Sequence, residues 1–220
     1  MEKQKKILIA PLDWGWGHAT RCLPIIDYLI SKNVNVVVAG NENYKNFIEE
    51  KYPSLPFIFL KGYDVRYAKS ANRLGIKIAL QVPKIISRLV YEYFWLKKIQ
   101  DTEQFDAIIS DNRYGLFSKK VRTVFMTHQV EIETPFFKKL VNVINRFFIK
   151  KHNYLWIPDD KDFNFAGKLS KPKNEIIPSF YLGNLSQLTI SKNEVEKTID
   201  LLCILSGPEP QRSILEEMIC

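Results

Sequence analysis

Short apolar runs alternate along this chain with segments of helical periodicity, and that alternation limits the fold more than any single motif. The runs are "KKILIAPL" (5–12), "NVVVAG" (35–40), "PFIFL" (56–60), "FDAIIS" (105–110), "VRTVFMT" (121–127) and "NYLWIP" (153–158). After the first run, Cys22, Leu23, Ile26, Leu29 and Ile30 recur at helical spacing within 17–31. Residues 43–51 and 135–151 also read as helices. So does a long stretch over 73–103, in which Pro83 is expected to kink or break the helix; residues 62–72 read as a loop. Strands that are apolar on both faces belong to a parallel sheet covered by helices on both sides. The expected class is therefore α/β, a Rossmann-like parallel sheet.

Ligands of such sheets bind beyond the carboxyl ends of the strands. The polar punctuation falls there: Trp14 to His18 after the first run, Asp111 to Arg113 after the fourth, His128 and Gln129 after the fifth, Asp159 and Asp160 after the sixth. Residues 1–164 make one domain on this reading. Residues 165–198, with Gly167, Pro172, Pro178 and Gly183, read as a linker. From 199 to 220, "IDLLCILSGPEPQRSILEEMIC" restarts as strand, loop and helix. A lone βα unit cannot bury both faces of a sheet, and a domain needs at least ~50 residues. The stretch reads as the opening of a second, incomplete lobe.

Composition removes several classes. The 220 residues are 46% hydrophobic, enough for a sizeable core. No apolar run approaches the ~20 residues of a membrane span, and "MEKQKKILIA" lacks the long apolar region of a signal peptide. Three cysteines, Cys22, Cys203 and Cys220, have no metal-like spacing and point to a reduced, cytoplasmic chain. The net charge of +8 suits acidic small molecules or an anionic membrane. Nucleic acid is not expected, because no zinc-finger spacing and no RNA-binding aromatic signature accompany the charge.

The loop "DWGWGH" does not fit a dinucleotide site. The third glycine of G-x-G-x-x-G is replaced by Thr20, and the second strand ends at Gly40–Asn41 without an acidic residue. No NAD or FAD is expected. Gly15 and Gly17 still allow a sharp turn and close approach to a ligand. His18 falls in the first helical turn, where the helix dipole favours a neutral imidazole. A neutral histidine facing a cleft is a candidate general base; the plainer reading is a capping histidine packed on Trp16. Asp111, Asn112 and Arg113 could orient hydroxyls or support His18, or make a turn. Asp159 and Asp160 read as a cap and a surface charge. Residues 136–151, "FFKKLVNVINRFFIKK", carry five basic residues, no acidic ones and four phenylalanines. Positions 137, 140, 141, 144 and 148 make one apolar face, which fits either an anionic lipid surface or a core helix with a solvated basic side.

"GWGHATRCLP" resembles the first loop of GT-B nucleotide-sugar enzymes, which carry a G-x-G-H element followed by an arginine. Relatives in that class include the lipid-linked N-acetylglucosaminyltransferase of peptidoglycan synthesis, whose H-E-Q element "THQ" (127–129) resembles. "LSGPEPQR" (205–212) resembles the loop after the first strand of a GT-B second lobe. "SDNRYG", "THQ", "W-x-P-D" and "SGPEPQR" occur in this order in a group of bacterial glycosyltransferase-like proteins, so the resemblance spans the chain. It implies the acceptor-side lobe of a metal-independent transferase followed by the start of a donor lobe. His18 would be the base that deprotonates the acceptor hydroxyl. Gly15, Trp16, Gly17, Arg21, Asp111, Asn112, Arg113, His128 and Gln129 would contact the acceptor. Ser206, Gly207 and Arg212 would contact a UDP-linked donor. The acceptor would be a sugar or a lipid-linked sugar, and the protein would sit in the cytoplasm, peripheral to the inner membrane face. "GHATRCL" also fits the UDP-sugar hydrolases of pseudaminic acid synthesis, in which the histidine would activate water. A non-catalytic sugar-nucleotide or lipid-binding module is the third reading. The 220 residues alone are expected to be inactive.

Overall fold

The computed structural model describes residues 3–65, 80–134, 137–163, 165–172, 174–188, 198–206, 209 and 211–219. In chain order the elements are β1 (Lys6–Pro11), α1 (Trp16–Ser31), β2 (Asn35–Gly40), α2 (Glu42–Lys51), β3 (Phe57–Phe59), α3 (Val82–Glu103), β4 (Ala107–Asp111), β5 (Arg122–Met126), α4 (Lys138–Ile149), β6 (Tyr154–Ile157), a 3-10 turn (Gly167–Leu169), β7 (Ser179–Tyr181) and α5 (Gln211–Ile219). Among the described residues seven strands form one sheet in the order β3-β2-β1-β4-β5-β6-β7. Every neighbouring pair runs parallel.

Alternation along each strand sends side chains to two cores. Ile9, Val36, Val38, Ile109, Val124 and Met126 face α1 and α2, meeting Cys22, Leu23, Ile26 and Ile48. Leu8, Ala10, Val37, Ala39 and Ile108 face α3 and its Leu96. Phe125, Leu155 and Ile157 lie on that second face against Ile149 of α4. Both faces are covered, which is why the strands read as near-continuous apolar runs.

Chain order reverses at β1, with β2 and β3 on one side and β4 on the other. The register pairs Pro11 with Asp111, so the two strands end side by side. Such a reversal opens a crevice at the carboxyl ends of the strands.

Several expectations change. Pro83 lies in the first turn of α3, not mid-helix, where its missing N–H has no intrahelical partner to lose; the expected residues 73–79 of that helix lie outside the described ones. Part of the expected linker belongs to the sheet, since β7 pairs with β6 and Leu182 and Leu185 pack on the first core. Gln187 Nε2 lies 3.5 Å from the Thr20 carbonyl, which Pro24 leaves without its intrahelical donor. Residues 198–206 form no strand, whereas α5 forms as expected. Leu201, Leu202 and Ile204 are exposed there, and a single strand has no neighbour to complete its hydrogen bonds.

Helix α4 is turned the opposite way from a core helix. Asn142 and Asn145 are buried, while Phe137, Leu140, Val143, Ile144 and Phe147 are exposed. The two asparagines clamp the chain that follows β5. Asn142 accepts from the Ile132 N–H at 2.8 Å and donates to the Ile132 carbonyl at 2.9 Å. Asn145 donates to the carbonyls of Gln129 and Val130 at 3.1 and 3.0 Å. Asp159, expected as a helix cap, is buried and organises the loop to Ser170 instead, accepting from the N–H groups of Asp160, Phe165 and Ala166 and from the Ser170 hydroxyl.

Candidate active site

The loop from β1 to α1 begins the site. Gly15 caps α1 at φ 89° and ψ 163°, a region open only to glycine. The Tyr44 hydroxyl lies 2.6 Å from the Leu12 carbonyl and 2.5 Å from that of Gly15, and pins the turn with its one proton. Trp16 packs on Tyr44 and Phe47 and stays exposed, as does Trp14. A Cβ added to Gly17 would meet nothing within 4 Å, so the first turn of α1 is open on that side.

His18 and Arg21 sit one helical turn apart on the edge of α1 that faces the end of β4. Asp111, fully buried, is their common partner. His18 Nδ1 lies 3.0 Å from Asp111 Oδ2. Arg21 donates from Nε to Oδ2 at 2.9 Å and from Nη2 to Oδ1. Arg21 Nη1 donates to His128 Nδ1 at 3.1 Å, which brings in the end of β5. Four residues from one helix and two strand ends are thus joined by direct bonds.

The charges follow from this contact set. Burial pushes the Asp111 carboxyl up, but the Arg21 guanidinium and the His18 hydrogen bond outweigh it and hold Asp111 below the ordinary carboxylate range. Burial pushes His128 down, and the nearby charge of Arg21 adds to that, so its imidazole is neutral at pH 7. Burial and Asp111 push the Cys22 thiol well up. Cys22 therefore stays a thiol and is no nucleophile.

The other expected site residues fare differently. Gly15, Trp16 and Gly17 line the open side of the loop. Gln129 is exposed beside His128, its N–H held by the Thr127 hydroxyl at 2.9 Å. Asn112 is buried at φ 56° with Oδ1 unpartnered among the described residues. Arg113 does not face the crevice. It is fully buried, donating to the Pro11 carbonyl at 2.7 Å and to Glu92 Oε1 at 2.8 Å. Glu92 also accepts from the Tyr63 hydroxyl and the Gly115 N–H. An arginine so enclosed holds β1, β4 and α3 together and cannot bind an acceptor.

Ser206 and Arg212 are not brought to His18. Both are exposed, Arg212 pairs with Glu209, and among the described residues no hydrogen bond or ion pair ties 198–219 to the sheet. Gly207 lies outside the described residues. Sequence reasoning missed two supports. Asp13 accepts from the N–H groups of Tyr63 and Asp64 at 2.9 and 3.1 Å. A Cβ on Gly62 would come 2.1 Å from its carboxylate, so that glycine was the available signal. Glu92 had no signal, lying in an aromatic helical run.

No family model matches this chain, and no curated protein matches it. Solved structures do. Arabidopsis thaliana UGT89C1 complexed with quercetin is 12% identical over 98% of this chain and 56% of that chain, at a TM-score of 0.59. Phytolacca americana UGT2 complexed with UDP-2fluoro-glucose and pterostilbene is 13% identical over 86% of this chain and 56% of that one, at 0.53. A UDP-glucosyltransferase from Polygonum tinctorium capable of glucosylating indoxyl is 12% identical over 91% and 56%, at 0.52. The likeness is one of fold: the Rossmann-like sheet of GT-B glycosyltransferase structures, of which this chain spans about half the length.

Proposed function

We propose that this chain is the acceptor-side lobe of a metal-independent glycosyltransferase that moves a sugar from a UDP-linked donor to an acceptor hydroxyl. The observation that carries it is the placement of His18 at the crevice between β1 and β4 with Nδ1 against a buried, ionised Asp111. With its proton on Nδ1, the ring has a lone pair on Nε2, which forms no bond to the described residues. That atom takes the proton of the acceptor hydroxyl as the oxygen attacks the sugar carbon, and Asp111 stabilises the imidazolium. Trp16, the Gly15–Gly17 turn and Gln129 line the acceptor's approach. The donor is proposed to be held from a second lobe, with Ser206, Gly207 and Arg212 at its start. Kinship with the lipid-linked N-acetylglucosaminyltransferase rests on the motifs at 15–24 and 127–129.

The test is His18→Ala in the active protein, whether the donor contacts come from the same chain or another. Turnover of a UDP-sugar panel, read as UDP release, should fall ~10²–10⁴-fold, the usual worth of a general base, with little change in melting. Near-normal turnover removes the assignment. Free sugar released without acceptor instead identifies the hydrolase. Micromolar binding of UDP to the 220 residues alone would put the donor site in the wrong lobe.

A second reading concerns location and has its own observation. On α4, Phe137 is 79% and Phe147 53% exposed, beside Lys139, Lys150 and Lys151. Helix α3, on the same face of the sheet, exposes Val82, Ile86, Val90 and Phe94 at i, i+4 spacing. No helix among the described residues is long and apolar enough to cross a membrane. Apolar side chains flanked by cations suit peripheral docking on an anionic bilayer, with a lipid-linked acceptor. Each basic residue near such a surface contributes ~1 kcal/mol, so co-sedimentation with anionic vesicles should be strong at low salt and fade as salt screens the attraction. Equal binding to neutral and anionic vesicles would remove this reading.

A further inference from the structure

One ring atom of His18 is claimed by two groups that want opposite things from it. Nδ1 lies 2.8 Å from Arg21 Nη2 and 3.0 Å from Asp111 Oδ2. A guanidinium only donates, and an ionised carboxylate only accepts. If Nδ1 takes the bond from Arg21, it must carry the lone pair, and the proton of the neutral ring sits on Nε2. His18 then offers an N–H to the crevice and cannot be a base. If Nδ1 bonds Asp111, it must carry the proton, and Nε2 is free to accept one. The two states exclude each other.

Hydrogen-bond counting favours the first state in the free protein. Asp111 already has two donors from Arg21 through Nε and Nη2. The second Nη2 proton has no other acceptor than His18 among the described residues, and it makes the shorter contact. Arg21 Nη1 gives one proton to His128, whose Nδ1 has no carboxylate competing for it. His128 is thereby held with its proton on Nε2. The other Nη1 proton of Arg21 forms no bond among the described residues. A phosphate oxygen offered there pairs two ionised groups, and an arginine–phosphate pair can take two parallel N–H bonds, which a single imidazole lone pair cannot.

We propose that Arg21 is a positioning residue that gates the tautomer of His18, holding it in the inactive Nε2–H form until a phosphate anion in the crevice draws the guanidinium edge away and releases Nδ1 to Asp111. The switch balances without a net charge. Nε2 gives its proton to crevice water, and Nδ1 takes one from water and keeps it, hydrogen-bonded to the Asp111 carboxylate. The anion is the diphosphate of a nucleotide sugar or a phosphate of the acceptor; the shared chemistry is an oxyanion able to take two N–H donors. Through this gate, base activation waits for ligand. The catalytic consequence rests on the reading of His18 as the base; the tautomer change itself does not.

The chain has only three histidines, so its imidazole nitrogens can be resolved singly. Long-range proton–nitrogen NMR on histidine-labelled protein above pH 7 reads which nitrogen carries the proton, with assignment by His→Gln variants. In the free protein His18 and His128 should both show Nε2–H. Pyrophosphate should convert His18 to Nδ1–H. Arg21→Gln should show His18 as Nδ1–H without any anion and give no response to pyrophosphate. Arg21→Lys keeps a positive charge beside Asp111 and so guards against misfolding, and its single ammonium cannot span both partners; it should behave like Arg21→Gln. A free protein already in the Nδ1–H form, or variants that leave His18 on Nε2–H, would overturn the gate. So would pyrophosphate that leaves the wild-type tautomer unchanged. Separate arms with inorganic phosphate, UDP and a glycosyl phosphate identify which source works the switch. If His18→Ala stays active while these shifts occur, the base reading fails and the coupling stands.

Discussion

Two arginines, Arg21 on α1 and Arg113 just past β4, bind buried carboxylates, and they serve opposite purposes. Arg21 meets Asp111 from the edge of α1, and its other partners are two imidazoles at the mouth of the crevice. Arg113 meets Glu92 with both side chains fully enclosed; it also donates to the backbone carbonyls of Pro11 and Lys61 and lies 3.8 Å from the Asp13 carboxylate. Burial pushes the Glu92 carboxyl up even beside Arg113, whereas Asp111, with Arg21 and His18 both donating, is held down. A buried ion pair marks chemistry only when a group that can change its protonation completes it. Where the remaining partners are backbone, a fixed tyrosine and a carboxylate already held by the N–H groups of Tyr63 and Asp64, away from the crevice histidines, the same pair is architecture.

The largest expected effect separates the two by stability. Arg113→Met should cost ~3–5 kcal/mol, since it strands Glu92 as an unpaired buried charge. Denaturant melts should show the loss at every pH from 6 to 8. Arg21→Met should cost less, because Asp111 keeps the His18 ring as a hydrogen-bond partner at the edge of the crevice. Equal losses at both sites would erase the distinction.

His152 is a buried titratable group with neither kind of partner. Both ring nitrogens are unpaired among the described residues, and Phe117 and Phe125 surround the ring. Burial pushes its pKa down from 6.5 to about 3. Above pH 6.5 the ring is neutral in both states and the folded protein bears no protonation penalty. Below 6.5 the unfolded chain binds a proton that the folded chain refuses, so stability falls by ~1.4 kcal/mol per pH unit until the folded ring titrates. Melts of wild type and His152→Phe at pH 7, 6 and 5 should diverge by that slope in favour of the variant. Parallel curves would mean that the ring finds a partner in solution.

The smallest effect sharpens the crevice side. Gly15→Ala forces a side chain into φ 89° and should cost ~1–3 kcal/mol. Gly17→Ala meets nothing and lies in the first turn of a helix, so it should gain up to ~1 kcal/mol. If the backbone there approaches a ligand, turnover should nevertheless drop. A Gly17→Ala protein with unchanged kinetics would show that the open turn serves no ligand.

Six of the seven strands among the described residues, the glycine turn and the crevice at the strand ends were legible because their signals are local. Continuous apolar runs mark strands covered on both faces, and polar residues at their ends mark where the chain leaves the sheet. The seventh strand, Ser179–Tyr181, was not legible: at three residues it carries no period and exists only because β6 offers an edge. The outward apolar face of α4 was hidden for a related reason. Its period of 3.6 is visible, but which side faces the sheet depends on Asn142 and Asn145 finding backbone partners at 129–132.

Sequence by itself determined that this chain builds a parallel α/β sheet and that histidine, arginine and aspartate stand at the ends of its strands. Tertiary structure decided which of them meet. Asp111 and Arg113 are two residues apart and read alike, yet one turns to His18 and Arg21, ninety and more positions away, and the other turns to Glu92 beneath the sheet. A charge can be buried only beside a partner. Strand register and the crossover between β1 and β4 supply that partner from distant chain, so no local pattern could announce it.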